Sequence, residues 1–198
     1  RAWYHFEGGL RFDGRPVNFL VQVMDPALLK TDLLRTLLYT HTQPPLFNLG
    51  LGILLKLFPE PSAFAAACWT AYSVMGLVFA LALYQLMVGL GADRRLALLA
   101  CAVHTISPAT VRYEYWLFYA YPVAVGLCLS ALLLCKALST GRAAWALSYF
   151  LLLATLSLTR ATLNWLWFLL CAGLCIWAAG PRRQTFARLT VGSALLVA

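Results

Sequence analysis

The sequence predicts an all-α fold, a polytopic helical bundle embedded in a membrane. Of the 198 residues, 62% are hydrophobic, whereas only 15 are Lys or Arg and 7 are Asp or Glu. A soluble globular domain carries roughly a quarter charged residues, and a disordered chain has low hydrophobicity, so both classes are excluded. The formal charge of +8 comes from basic residues scattered between apolar runs. That pattern indicates orientation in a membrane rather than binding to nucleic acid.

Uncharged runs mark the predicted transmembrane helices. A spanning helix needs about 20 mostly apolar residues, with a range of roughly 17 to 25. Five runs approach or exceed this length, although the second is short and contains His104, and a sixth opens at Leu189. We therefore predict five complete spans and one truncated span. The five runs are 62–90, 96–111, 115–135, 143–159 and 161–180.

Charge at the joints between the runs predicts which side faces out. Alternate joints contain seven basic residues, whereas the joints between them contain only Arg112 and Arg160. Because cytoplasmic loops are enriched in Lys and Arg, we place Arg112, Arg160 and the N-terminal segment on the outer side. The Ala-, Leu- and Arg-rich composition favours a bacterial plasma membrane. The inner basic residues are Arg94, Arg95, Lys136, Arg142, Arg182, Arg183 and Arg188.

Two regions follow from this pattern: an external loop over residues 1–61 and a transmembrane bundle over residues 62–198. The six cysteines lie inside apolar runs, where free cysteine behaves as a small buried hydrophobe. The chain starts at Arg1 rather than Met and ends within an apolar run. We therefore expect it to be part of a longer protein.

Two interfacial helices are predicted within the external loop. Asp25 followed by Pro26 is typical of a helix start. Leucines at helical spacing make residues 27–40 amphipathic, as in a helix that lies along a membrane surface. The apolar stretch 46–58 is only 13 residues long, so a re-entrant or interfacial helix fits better than a span.

Acidic residues gather on the predicted outer side, and only Asp93 is predicted to lie inside. This distribution favours chemistry on the outer face. The outer side also holds the longest hydrophilic segment, which would by itself collect most of the acids, so both interpretations stay open. The outer acids are Glu7, Asp13, Asp25, Asp32, Glu60 and Glu114.

A motif in the external loop resembles a known enzyme family. Asp25 precedes the segment His41-Thr42-Gln43-Pro44-Pro45-Leu46, which is followed by a short apolar stretch and a long span. This order is similar to the first external loop of the GT-C superfamily of membrane glycosyltransferases, especially bacterial relatives of dolichyl-phosphate-mannose protein mannosyltransferases. The resemblance covers roughly residues 25–160. Many members carry two adjacent acids at this position, whereas here the second is Pro26, which leaves a divalent metal as an open question.

The resemblance implies transfer of a sugar from a polyprenyl-phosphate donor to a glycan, lipid or protein acceptor. Asp25 would be the general base that takes the proton from an acceptor hydroxyl, with inversion at the anomeric carbon. Asp32 and Asp13 are the alternative bases. The alternative interpretation of Asp25 is a purely structural role as a helix cap. The alternative for Asp32 is an ion pair with Arg35.

The departing phosphate would need cationic partners, and Arg160 and Arg112 are the candidates. Arginine binds phosphate through its planar set of donors. Both residues also suit a role as interfacial anchors whose charged ends reach water, and Arg112 could pair with Glu114.

Further substrate contacts are expected from His41 and Gln43 in the double-proline segment and from Tyr119 and Tyr121 in an aromatic stretch. Glu114, at the start of that stretch, would orient the acceptor or the base. An interfacial belt of aromatic residues is the alternative interpretation of the stretch. The rival functions are a transporter or permease, which would carry ionisable residues at mid-bilayer depth, and a non-catalytic membrane subunit.

Overall fold

The computed structural model describes residues 6–18, 23–39, 45–160 and 162–194. Across these ranges the fold is all-helical, with no strand and a single isolated bridge between Asp13 and Trp116. The all-α prediction is therefore confirmed. The helices are α1 Pro26–Thr31, α2 Leu33–Tyr39, α3 Pro45–Leu57, α4 Pro61–Gly89, α5 Arg94–Ile106, α6 Pro108–Glu114, α7 Ala120–Thr140, α8 Ala143–Thr159, α9 Trp165–Ala178 and α10 Arg183–Ala194, with 3₁₀ turns at Arg15–Asn18 and Gly180–Arg182.

Two of the described helices are long and apolar enough to cross a membrane. Helix α4 has 29 residues and a mean hydropathy of 1.8, and α7 has 21 residues and a mean hydropathy of 1.9. Helices α3, α8 and α9 are apolar but have 13, 17 and 14 residues, at or below the lower limit of roughly 17 for a span. Helices α4 and α7 therefore indicate membrane association. The arrangement with five spans stays a prediction.

A continuous helix over residues 96–111, as predicted for the second span, is wrong, because the helix breaks at Ser107. Helix α5 ends at Ile106 and α6 begins at Pro108, with Ser107 in an extended conformation (φ −56°, ψ 130°). Proline has no N–H to continue the helical hydrogen bonds, and it disfavours the helical conformation in the residue before it.

The helices of two further predicted spans begin later than predicted. Residues 115–119 are not helical, so α7 starts at Ala120 rather than at residue 115. Helix α9 starts at Trp165 because the Asn164 side chain caps it, accepting hydrogen bonds from the N–H groups of Leu166 and Trp167. The sixth apolar run belongs to α10, which begins at Arg183 rather than Leu189.

The predicted amphipathic helix over residues 27–40 is divided into α1 and α2 at Asp32. Its leucines do not share one environment. Leu29 and Leu33 are buried in the core, whereas Leu34 and Leu38 are 71% and 70% exposed. The division turns part of the predicted apolar face inward against the protein and leaves the other part outside.

One core forms where α4 extends past the start of α7. The Tyr72 hydroxyl donates to the Phe118 carbonyl (2.8 Å) and accepts from the Phe118 N–H (3.1 Å), so the residues before α7 lie level with the middle of α4. Phe64 and Cys68, in the first turns of α4, are buried together with residues of the N-terminal segments. This core includes Val17, Val23, Met24, Leu29, Leu33, Leu51, Leu55, Phe64, Cys68, Tyr72, Leu117 and Tyr121.

A second core joins the end of α7 to α8, α9 and α10. Phe150, Phe168 and Phe186, one from each of the last three helices, are its largest fully buried side chains. Phe150 and Phe186 meet edge to face at 6.4 Å. Ala137 and Ala146 are fully buried between the larger side chains and allow the helices to approach closely.

Gly76 on α4 leaves space for a buried polar pair from the neighbouring helices. The Glu114 side chain is 1% exposed, and its Oε2 accepts a hydrogen bond from the Tyr121 hydroxyl at 3.0 Å. A Cβ atom at position 76 would lie 2.8 Å from that oxygen and 3.0 Å from the hydroxyl. Glycine is therefore the residue that lets α4, α6 and α7 meet here.

We expect Gly76→Ala to lower the midpoint of thermal unfolding in detergent, because overpacking of this kind typically costs about 1–3 kcal/mol. Gly89→Ala is the matched control on the same helix, since nothing lies within 4 Å of its Cβ position. The control should unfold like the wild type. Equal midpoints for the two variants would show that Glu114 and Tyr121 move aside freely and do not constrain the packing.

Candidate active site at the outer ends of the helices

We call the end of the bundle at which α4, α7 and α9 begin and α8 ends the outer end, following the predicted orientation. The first turn of α3 lies there and contacts two other segments, at Met24 and at Tyr119. Asn48 on this turn is 1% exposed, and its Oδ1 accepts a hydrogen bond from the Met24 N–H at 2.9 Å. This buried bond fixes the residue before Asp25 against α3.

Asp25 is exposed and caps α1, as its sequence context predicts. Its Oδ1 accepts a hydrogen bond from the Ala27 N–H at 2.8 Å. A carboxylate has two oxygens, and this cap uses one of them. Capping and proton abstraction are therefore compatible at this residue.

Tyr119 contacts both the first turn of α3 and Arg160. The Phe47 ring meets the Tyr119 ring edge-on at 5.9 Å, and the Arg160 guanidinium carbon lies 5.4 Å from the centre of the Tyr119 ring. The Nε of Arg160 is buried and has no hydrogen-bond partner among the described residues. Asp25 is thus linked to the start of α3 through its neighbour Met24, and Arg160 is linked to it through Tyr119 and Phe47. We call Asp25, Phe47, Tyr119 and Arg160 the α3 site.

His41 and Gln43, both predicted to contact substrate, lie outside the described residues. In the sequence they stand immediately before Pro45, the first residue of α3. Within the described ranges, no three His, Cys, Asp or Glu side chains come together as metal ligands. The divalent metal remains an untested expectation.

A second feature, which we call the outer groove, is an open cavity of ≈ 1040 Å³ between the N-terminal segment and α6. It contains two predicted residues, Asp13 and Arg112, together with Arg11 and Trp116. Its remaining lining is mostly apolar or aromatic: Gly8, Leu10, Pro108, Ala109, Val111, Tyr113 and Tyr115.

Backbone hydrogen bonds on Asp13 close one side of the outer groove. The Asp13 N–H donates to the Tyr115 carbonyl at 2.8 Å, and the Leu117 N–H donates to the Asp13 carbonyl at 3.0 Å. These two bonds form the bridge between the N-terminal segment and residues 115–117. They hold the Trp116 side chain at the groove.

Both side-chain oxygens of Asp13 accept hydrogen bonds from Arg15. The Arg15 Nε donates to Oδ1 at 2.8 Å, and its Nη2 donates to Oδ2 at 2.9 Å. The side-chain hydrogen bonds from Arg15 lower the pKa of Asp13, against a smaller opposing effect of burial. Asp13 is therefore a weaker base than an ordinary aspartate, and it suits holding a hydroxyl better than removing a proton from one.

The structure separates the other predicted residues from both sites. Glu114 and Tyr121 are buried and bonded to each other, so the predicted pair of Glu114 with Arg112 is wrong, and Arg112 is exposed on α6. The side chains of Glu114 and Tyr121 face α4 rather than the groove. Asp32 is exposed and ends α1, and Arg35 lies over the Tyr39 ring (5.8 Å) rather than beside Asp32.

Sequence reasoning missed Arg11 and the role of Phe47. Arg11 stands in a Gly- and Asp-containing stretch that indicates only turns, and its position in the groove depends on the backbone bridge at Asp13. Comparison with known proteins adds no assignment: no family model, no curated protein and no solved structure matches the chain.

We expect Arg15→Gln to raise the pKa of Asp13 towards that of an ordinary aspartate. The wild-type carboxylate stabilises the fold above the pKa of the unfolded chain, and this contribution is lost as the pH falls through the lower folded pKa. Selective ¹³C labelling of aspartate carboxyls would follow the titration by NMR. Arg35→Gln is the control and should leave the Asp13 curve unchanged. An identical Asp13 titration in wild type and Arg15→Gln would contradict the assignment.

Proposed function

We propose that the chain belongs to a membrane glycosyltransferase that moves a sugar from a polyprenyl-phosphate donor to an acceptor hydroxyl or amine at the outer face. The observation that carries this proposal is the α3 site. Asp25, Tyr119 and Arg160 are distant in sequence, and each is predicted separately as a functional residue. Tyr119 contacts the first turn of α3 directly, Arg160 is joined to it through Tyr119, and Asp25 follows Met24, which is bonded to that turn; the turn comes directly after the segment that resembles the GT-C motif.

In the proposed reaction, the free carboxylate oxygen of Asp25 takes the proton from the acceptor hydroxyl. The acceptor oxygen then forms a bond to the anomeric carbon. The bond from that carbon to the phosphate oxygen breaks, and polyprenyl phosphate leaves with the electron pair. Attack opposite to the leaving group inverts the anomeric centre.

Arg160 would bind the phosphate that departs. Its guanidinium is held against the Tyr119 ring, and a planar guanidinium offers paired donors to phosphate oxygens. The buried Nε without a partner among the described residues is one such donor. The Tyr119 ring, which contacts this donor set, also contacts Phe47 on α3.

We further propose that the chain crosses the membrane several times, with the α3 site outside. If α7 spans the bilayer, its first turn marks the outer boundary, and Glu114 lies at that boundary because it bonds to Tyr121. The same acid also packs against Gly76, at the middle of α4; a buried acid at that depth is what a transporter would carry, so the proposal rests on the α3 site and not on the depth of Glu114. A bacterial plasma membrane fits this arrangement.

Turnover tests the proposal and the role of Asp25. With the full-length protein in membranes and labelled polyprenyl-phosphate sugars, Asp25→Asn should reduce release of polyprenyl phosphate by about 10²–10⁴-fold, the usual contribution of a general base. Asparagine still caps a helix, so folding should persist. Asp93→Asn is the matched control, since Asp93 caps α5 at the inner end, and it should turn over normally.

Two results would count against the proposal. Turnover by Asp25→Asn equal to that of the wild type would reduce Asp25 to a helix cap and direct the search to Asp13 and Asp32. Absence of turnover with every polyprenyl-phosphate sugar tried would refute the glycosyltransferase assignment itself and favour a transporter or a non-catalytic subunit.

The crossing of α7 and α8 is testable by labelling single cysteines in a cysteine-free background. Tyr113, Thr140 and Thr162 are exposed and lie before α7, at its end and after α8. In right-side-out vesicles, an impermeant maleimide should label Tyr113→Cys and Thr162→Cys directly and Thr140→Cys only after permeabilisation. Labelling of all three from one side would disprove the crossing of both helices.

A further inference from the structure

The outer groove has no role in the reaction as proposed above, because none of the α3-site residues lines it. We propose that it binds the acceptor, and that the acceptor is an anionic sugar, a pyranose that carries a carboxylate or phosphate. The identification of the ligand as the acceptor rests on the proposed function. Binding of an anionic sugar can be tested without turnover.

Charge in the groove favours an anion. Arg11 and Arg112 are exposed groove residues, and neither makes a hydrogen bond or ion pair with another described residue. Asp13 is the one acid among the described lining residues, and Arg15 occupies both of its oxygens. The cations therefore exceed the available negative charge, and two guanidinium groups remain for a carboxylate or phosphate.

The rest of the lining favours a sugar ring over a bare anion. Trp116 and Tyr113 offer aromatic surface, and Tyr113 is 49% exposed. Pro108 and Ala109 add apolar surface at the edge of α6. Apolar and aromatic walls with a few placed polar groups are typical of small-molecule sites, and a pyranose presents both C–H surface and hydroxyl groups.

A row of aromatic rings connects the outer groove to the α3 site. The Trp116 and Phe118 ring centres lie 4.9 Å apart, and those of Phe118 and Tyr119 lie 4.1 Å apart. Tyr119 in turn contacts Arg160. A sugar chain bound in the groove along these rings would extend towards the site where the donor phosphate is held. The groove therefore neighbours the chemistry and is separate from its phosphate site.

Binding by the full-length protein in nanodiscs tests this inference. The probes are methyl glucuronide, glucose 6-phosphate, methyl glucoside and inorganic phosphate, measured by calorimetry without donor. We expect the two anionic sugars to bind at least tenfold more tightly than methyl glucoside and than phosphate alone. The double variant Arg11→Gln/Arg112→Gln should lose at least tenfold in affinity, and Trp116→Leu should weaken every sugar.

Two controls make the test specific. Arg142→Gln removes an exposed arginine at the inner end and should bind as the wild type does. Arg160→Gln removes the proposed phosphate ligand of the donor and should also keep the anionic sugar. A loss of binding in Arg160→Gln equal to that in the double variant would overturn the separation of the two sites.

Each remaining outcome supports or overturns the anionic-sugar site, its sugar specificity or the transfer reaction. Equal affinity for methyl glucoside and methyl glucuronide, or unchanged affinity in the double variant, would overturn the anionic-sugar site. Equal affinity for phosphate and glucose 6-phosphate would overturn its sugar specificity. A protein that binds anionic sugar through Arg11 and Arg112 but releases no polyprenyl phosphate would support the site and refute the transfer reaction. Turnover without anionic-sugar binding would refute the groove alone.

Discussion

The hydrogen bonds between Tyr72 and Phe118 are the constraint on which the outer end depends. One hydroxyl satisfies both the N–H and the carbonyl of the same residue, so a non-helical segment can lie against the middle of an apolar helix. An unpaired backbone group there would carry the desolvation penalty of a buried polar atom. Residues 115–119 are fixed in this way, and both the backbone bridge to Asp13 and the contact of Tyr119 with Arg160 follow from their position.

The buried Glu114, directly before residues 115–119, strengthens the same constraint. Removing a carboxylate from water is costly unless hydrogen bonds compensate, and Tyr121 supplies one such bond. The small size of Gly76 permits this close approach. Tyr121 also stacks on Tyr72 at 5.8 Å, so the polar pair and the Tyr72 hydrogen bonds hold the same junction. A buried acid can therefore serve geometry here without touching substrate.

Apolar content and helix signals were sufficient to predict the all-helical fold and several boundaries. The 29-residue α4 and the 17-residue α8 follow their uncharged runs closely, because hydropathy is a property of the residues themselves. The break at Ser107 was missed because Pro108 lies inside an uncharged run, where charge alone gives no signal. The bridge from Asp13 to Tyr115 and Leu117 joins residues a hundred positions apart through backbone atoms, which carry no sequence signature.

The sequence also could not predict the environments of the candidate residues. The structure gives the two predicted arginines, Arg112 and Arg160, different environments. At 4 Å, two unit charges attract by about 1 kcal/mol in bulk water and by about 4 kcal/mol at an effective dielectric constant of ~20. Arg160, with a buried Nε and an aromatic neighbour, is closer to the second case and suits a charge that develops during bond cleavage. Arg112 is exposed in an open groove, closer to the first case, and suits reversible binding of a charged acceptor. The charge pattern alone gave Arg160 and Arg112 the same predicted role. Their different burial favours Arg160 as the ligand of the phosphate and Arg112 as a ligand of the acceptor.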